Sequence, residues 1–254
     1  YVTGTIGIPN GPPAEPFLSH ATLFSGGLLA DLGTVDAGQT RCSPLGCQSL
    51  GLDVNDSRWV VGWNEGDYGL MPSLWLPEAV PGAVQGWNLL PPLSREQGSV
   101  AQAINSAGQI VGRSSPDGIA PRAVFWELGA SGPAVTDLGT LRTDGGGSAI
   151  AYDINDLGQI VGAAADDAYF QHGFLFLPQP AYGLPAGMND LMAGMEDYAY
   201  AAGINNRGEI AGGIDLGVPW VWLPEPAYGL PAGFSLLKMT GKIVAFFPSA
   251  ISDA

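Results

Sequence analysis

Ten residues, AINSAGQIVG at 103–112, return as DINDLGQIVG at 153–162 and GINNRGEIAG at 203–212, and a looser copy, DVNDSRWVVG, occupies 53–62. The asparagine of the phrase therefore falls at Asn55, Asn105, Asn155 and Asn205, and its closing glycine at Gly62, Gly112, Gly162 and Gly212, each at intervals of 50. A fixed period of this size marks a fold built from copies of one supersecondary unit. It leaves few architectures open.

Each copy divides into four strand-like pieces. In the third they are SVAQAIN (99–105), GQIVG (108–112), RAVFWEL (122–128) and VTDLGTL (135–141). Between the first two pieces, Asn-x-x-Gly supplies residues that tolerate left-handed backbone angles in a tight hairpin. The 38 glycines and 21 prolines suit many short strands and turns. No window carries helical periodicity with caps, and no apolar run is long enough to span a bilayer. Four antiparallel strands per 50 residues is the arithmetic of a β-propeller blade.

The two ends read as halves of one more copy. SAISDA (249–254) followed by one residue and then YVTG (1–4) fits the phrase, with Ser252 in the asparagine place and Gly4 in that of the closing glycine. The expected fold is thus all-β: a single five-bladed propeller over 1–254, closed by pairing of the C-terminal strand with the N-terminal strands. Its blades are 1–47 plus 248–254, 48–97, 98–147, 148–196 and 197–247. The start at Tyr1, without a methionine or a leader, reads as a mature or trimmed form.

The order of pieces, AxxINxxGQIVG, then HGFLFLP (172–178) or RAVFWEL, then VTDLGTL, resembles the HAF repeat of bacterial secreted and surface proteins. The His-Ala-Phe triplet is represented by His20-Ala21-Thr22, Arg122-Ala123-Val124 and His172-Gly173-Phe174. The fourth and fifth copies depart from the DLGTL strand and share LPxPAYGLPAG instead, at 177–187 and 223–233. The resemblance implies an extracellular propeller-like fold and carries no established activity.

Comparing the copies with one another sorts core from surface. The third piece repeats a large aromatic at Phe24, Trp75, Trp126, Phe176 and Trp222, read as packing between neighbouring blades at roughly 2–3 kcal/mol each. Ala101, Ala103, Ala149, Ala151, Ala199 and Ala201 mark a crowded first strand. Gln109, Gln159 and Glu209, just before the Ile-Val-Gly run, read as solvent-facing. Tyr1 and Trp59 replace them in the other copies. With Trp63, Trp87, Glu65 and Asp67 they form a candidate ligand surface, an aromatic strip flanked by carboxylates, for a glycan or a protein partner. The competing reading folds a loop over those rings.

Chemistry is otherwise sparse. Candidate carboxylates for glycoside hydrolysis, Glu65, Asp67, Asp117, Asp166, Asp167 and Asp215, sit in Gly/Asp-rich turns where aspartate serves the backbone. No nucleophile elbow, phosphate loop or zinc-spaced histidine pair occurs, so no catalytic residue and no cofactor is expected. Structural calcium in the loops at 142–148 or 164–170 is the one metal considered. Nine basic against 24 acidic residues, a net charge of −15, disfavour nucleic acid and anionic membranes. Cys42 and Cys47 flank a Pro-Leu-Gly turn and read as a small-loop disulfide, hence an oxidising, extracytoplasmic setting. The expectation is a secreted, non-catalytic scaffold or interaction propeller, or the subunit of a surface fibre that self-associates through its terminal strands. A carbohydrate-binding module is the alternative, and a glycoside-processing enzyme stands behind it.

Overall fold

The computed structural model describes residues 1–8, 18–35, 47–66, 69–94, 98–115, 120–214, 217–238 and 250–253. Among these, every regular element is a β-strand, in five antiparallel sheets. The first has three strands, β1 (Val2–Ile8), β2 (Leu18–Ser25) and β3 (Leu28–Asp31). The second is β4 (Ser49–Val54), β5 (Val60–Gly66), β6 (Gly69–Leu76) and β7 (Gly86–Leu89). The third is β8 (Val100–Ile104), β9 (Ile110–Ser114), β10 (Arg122–Gly129) and β11 (Gly132–Asp137). The fourth is β12 (Ala149–Ile154), β13 (Ile160–Ala165), β14 (Gln171–Leu177) and β15 (Gly187–Asp190), and the fifth β16 (Ala199–Ile204), β17 (Ile210–Ile214), β18 (Val218–Leu223) and β19 (Gly233–Leu236). Each is a meander in chain order. The all-β, repeated-sheet expectation is met. The chain divides into two compact parts, 1–119 with 124–136, and 120–123 with 137–254.

Within the first part, Ala21 and Leu23 pack against Val60 and Trp87, joining the first and second sheets. Val61, Leu74 and Leu76 of the second sheet meet Ile110, Val124 and Trp126 of the third. Within the second part, Val161, Leu175 and Leu177 meet Ile210, Trp220 and Trp222. The second sheet therefore buries both faces; β13 is buried at every position and so lacks a polar face. The alanines of the first strands are all buried, as expected of the crowded position.

The corner is built differently from the sequence expectation. The left-handed residue is Gly108, Gly158 or Gly208 (φ 79°, 73° and 77°), or Arg58 (φ 63°); the asparagine is not among the left-handed residues. Asparagine acts through its buried side chain instead. Asn155 Oδ1 accepts from the backbone N–H of Leu157 and Gln159, both at 3.0 Å. Its Nδ2 donates to Gln159 Oε1 (2.7 Å) and to the carbonyl of Asn205 on the next sheet (3.0 Å). Asn55 Nδ2 donates likewise to the Asn105 carbonyl (3.1 Å), and Asn205 Nδ2 to that of Ser252 (2.9 Å). Thus one amide both closes a turn and fastens it to the following sheet. Ser252 takes the place of a corner asparagine.

The closing glycine has a separate cause. The first two strands of the second to fifth sheets shift register by one residue, as between Ala151 and Asp153, a β-bulge. A Cβ on Gly162 would run into the Ile150 carbonyl and the Phe174 ring. The bulge brings the two backbones too close for any side chain.

The repeated aromatics are less uniform than expected. They lie in rows across three strands: Val60–Trp75–Trp87, Ile160–Phe176–Met188, Ile210–Trp222–Phe234 and Val2–Phe24–Leu29. Trp126 and Trp222 are buried, and Trp75 and Phe176 half-buried. Phe24 is 47% exposed, with Val2 at 62% and Leu29 at 58%. The first sheet carries an uncovered version of a row that is sunk against the preceding sheet in the second and fifth.

Candidate functional site

The expected aromatic strip is not one surface. Trp87 is buried beside Ala21, Leu23 and Val35, and its Nε1 donates to the carbonyls of Leu32 and Gly33. Trp59 is half-buried on the opposite side of the second sheet, where its ring occupies the space above Gly108 of the third. Trp63 is half-buried, paired with Leu50 and Pro72. Tyr1 is exposed, and Glu65 half-buried with one carboxylate oxygen that lacks a partner. Two of the rings thus serve as core on opposite sides of the second sheet, Trp87 toward the first sheet and Trp59 toward the third. Asp67 lies outside the described residues.

The acidic loops are tied into the scaffold. Asp166 Oδ1 accepts from the N–H of Ala168 and Phe170, both at 2.9 Å, and Asp167 Oδ1 from that of Thr143 at 2.9 Å. Arg142 holds Asp144 in a two-point ion pair under the face of Tyr169. That bond, with the N–H of Gly146, lowers the Asp144 carboxyl to about 2. Among the described residues no three metal-ligating side chains cluster. Asp117, Asp215 and Cys42 lie outside the described residues, and with Cys42 the Cys42–Cys47 pairing; Cys47 is not a free thiol.

The position before the Ile-Val-Gly run is a correction. Gln159 and Glu209 are 5% and 6% exposed, because each accepts from its own corner asparagine. Each also meets a tyrosine from the shared PAYGLPAG segment. Gln159 Nε2 donates to Tyr182 Oη (2.9 Å), and Tyr228 Oη donates to Glu209 Oε1 (3.0 Å). Both tyrosines sit in two-residue turns closed by Ala181–Leu184 and Ala227–Leu230. Their φ of 55° and 54°, each followed by a left-handed glycine, makes a type I′ hairpin. A bulky residue there costs about 1–2 kcal/mol, whereas the second sheet closes the corresponding turn, Val80–Ala83, with Pro81-Gly82, where only the glycine is left-handed (φ 86°). The phenol ring is what the strained position provides. Tyr182 stacks edge-on to Trp222 at 5.6 Å and fills the space above Gly208.

In the fifth sheet the arrangement is charged. Arg207 NH2 donates to Glu209 Oε2 and to Tyr228 Oη, both at 2.9 Å. Burial pushes the Glu209 carboxyl up, but bonds from Asn205, Arg207 and Tyr228 outweigh it and leave it below the ordinary range. In the fourth sheet Leu157, 57% exposed, stands where Arg207 stands, and a shallow recess remains. The shared PAYGLPAG segment signalled these positions, but not which side chains its tyrosines would meet.

A third repeated constellation links strand ends. His20 pairs with Asp31 (3.1 Å), Arg122 with Asp137 (3.0 Å) and His172 with Asp190 (2.9 Å). The matching positions are apolar in the second sheet, Met71 and Leu89, and in the fifth, Val218 and Leu236. His172 is 1% exposed, and its second nitrogen faces the Met195 carbonyl at 3.1 Å. Base and acid are thus present together or absent together, as a structural latch requires. No protein-family model matches the chain, and no curated protein matches it.

Proposed function

We propose that this chain is a non-catalytic extracellular interaction scaffold, a five-bladed propeller closed by pairing of residues 248–254 with β1. The observation that carries the scaffold reading is where the polar side chains go. Corner amides and carboxylates are consumed in turns and sheet-to-sheet bonds, and the buried carboxylate Glu209 is held low, the opposite of a general acid. The resemblance to HAF repeats and the expected Cys42–Cys47 disulfide support the extracellular setting.

Three features support closure. Among the described residues β1 is an edge strand of a three-stranded sheet, and 250–253 carry no strand of their own. The row Val2–Phe24–Leu29 beside it is uncovered. Ser252 accepts from Asn205 the bond that Asn105 and Asn205 accept from Asn55 and Asn155. Among the described residues no helix is long and apolar enough to cross a membrane. Partners are then proteins or glycans met at the exposed corners and loops; self-association through the terminal strands is the competing use of the same edge.

Sedimentation of the full chain and of a form ending at 247 tests this. The full chain should run as a monomer, and the shortened one should unfold at lower urea and self-associate through β1. A full chain that polymerises with concentration would assign the edge to a second copy. An unchanged shortened form would remove the closure. Release of new reducing ends from any polysaccharide would remove the non-catalytic reading.

A further inference from the structure

The fourth and fifth sheets carry the same turn, the same tyrosine and the same corner, yet only small differences decide what lies between them. Leu157, Gln159, Pro178, Gln179, Ala181 and Tyr182 enclose about 250 Å³. That is below the roughly 300–1,000 Å³ of a site for a drug-sized ligand, so it suits a single ring. Its walls are the exposed side chain of Leu157, a proline, an alanine and a phenol, and its polar groups are uncharged amides and a hydroxyl. A ligand with a net charge would find no counter-charge on these walls.

We infer that this recess binds one neutral pyranose ring of a glycan. A sugar presents an apolar C–H face to Leu157, Pro178 and the Tyr182 ring, and hydroxyls to the Gln179 amide at the rim. Tyr182 Oη accepts from Gln159 Nε2 and donates to Gln159 Oε1 (3.3 Å), which leaves an oxygen lone pair to accept from a sugar hydroxyl. The left-handed backbone at Tyr182 keeps the ring over this spot at a conformational cost, the kind of strain that gathers at binding sites. A proline-rich peptide, the other ligand of such surfaces, seats rings in successive pockets. Here the corresponding place on the fifth sheet is crossed by Arg207 on its way to Glu209 and Tyr228. The inference deepens the binding reading above and does not depend on closure, since every residue involved lies in one compact part.

The fifth sheet also supplies the test. The double variant Leu157→Arg/Gln159→Glu places its residues on the matching backbone of the fourth, so the fold has a natural precedent for them. Saturation-transfer NMR with the methyl glycosides of glucose, galactose, mannose and N-acetylglucosamine should show transfer to the ring C–H protons of at least one, with a dissociation constant on the order of 1 mM. The double variant should lose that signal at least tenfold with its urea midpoint unchanged. Gln179→Ala should weaken binding about fivefold. Absence of transfer to all four glycosides, or transfer that survives in the folded double variant, overturns the inference. So does a tri-proline peptide that binds this recess where the glycosides do not.

Discussion

Replacing Asn155 by alanine removes four hydrogen bonds from a buried corner: two accepted from Leu157 and Gln159, and two donated to Gln159 and to the Asn205 carbonyl. At about 1 kcal/mol net for each, with partners left unsatisfied away from water, the loss should be about 4 kcal/mol. With a urea dependence of about 3 kcal/mol/M, the midpoint should fall by about 1.3 M. Asn155→Asp separates the two roles. It keeps both accepted bonds but turns a carboxylate oxygen toward Gln159 Oε1 and the Asn205 carbonyl, so it should be as damaging as alanine. Leu157→Ser, on an exposed neighbour, should stay within about 0.5 kcal/mol. Urea titrations followed by tryptophan fluorescence give all three numbers. If Asn155→Ala costs no more than the Leu157 control, the amide does not fasten one sheet to the next. If aspartate is tolerated, only the two bonds accepted from Leu157 and Gln159 matter.

Two further predictions concern charge. The Glu209 carboxyl titrates below its ordinary value in the folded chain, so its stabilisation is complete above the unfolded value of about 4.3 and fades as pH falls through the lower folded value. Glu209→Gln should therefore narrow the gap between urea midpoints at pH 7 and pH 3; an unaltered gap would contradict the assignment. For the latch at His172, His172→Met alone strands Asp190 and the Met195 carbonyl and should cost about 2–3 kcal/mol. Adding Asp190→Leu reproduces the Met71/Leu89 pair of the second sheet, and the double-mutant cycle should show coupling of at least about 1 kcal/mol. Strict additivity would mean that the pairs are not exchangeable latches.

The repeat made the strands legible, because a period of 50 with glycine at fixed places leaves little freedom in where hairpins fall. It also located the corner that Ser252 completes. What it hid was the direction in which side chains act. Asn-x-x-Gly looks like a backbone signal, and only the glycine is one; the asparagine's work lies across a gap between sheets that no local pattern reports. Gln159 and Glu209 read as surface because polar residues before an apolar run usually are, whereas here a buried amide is waiting for them. The burial of Trp87 is hidden from the sequence for a related reason. It is flanked in sequence by Gly86 and Asn88, while its neighbours in space, Leu23 and Val60, come from other strands.

The corner bonds run one way only. In three joints, Asn55 to Asn105, Asn155 to Asn205 and Asn205 to Ser252, the earlier copy gives the donor and the later one the carbonyl. Such a body has a grammar with a direction. A gene that duplicated one 50-residue word in register would extend it with a joint of the kind these three corners already make, whereas a word inserted in reverse would set donor against donor. Growth and loss by whole words is the evolutionary path this joint leaves open.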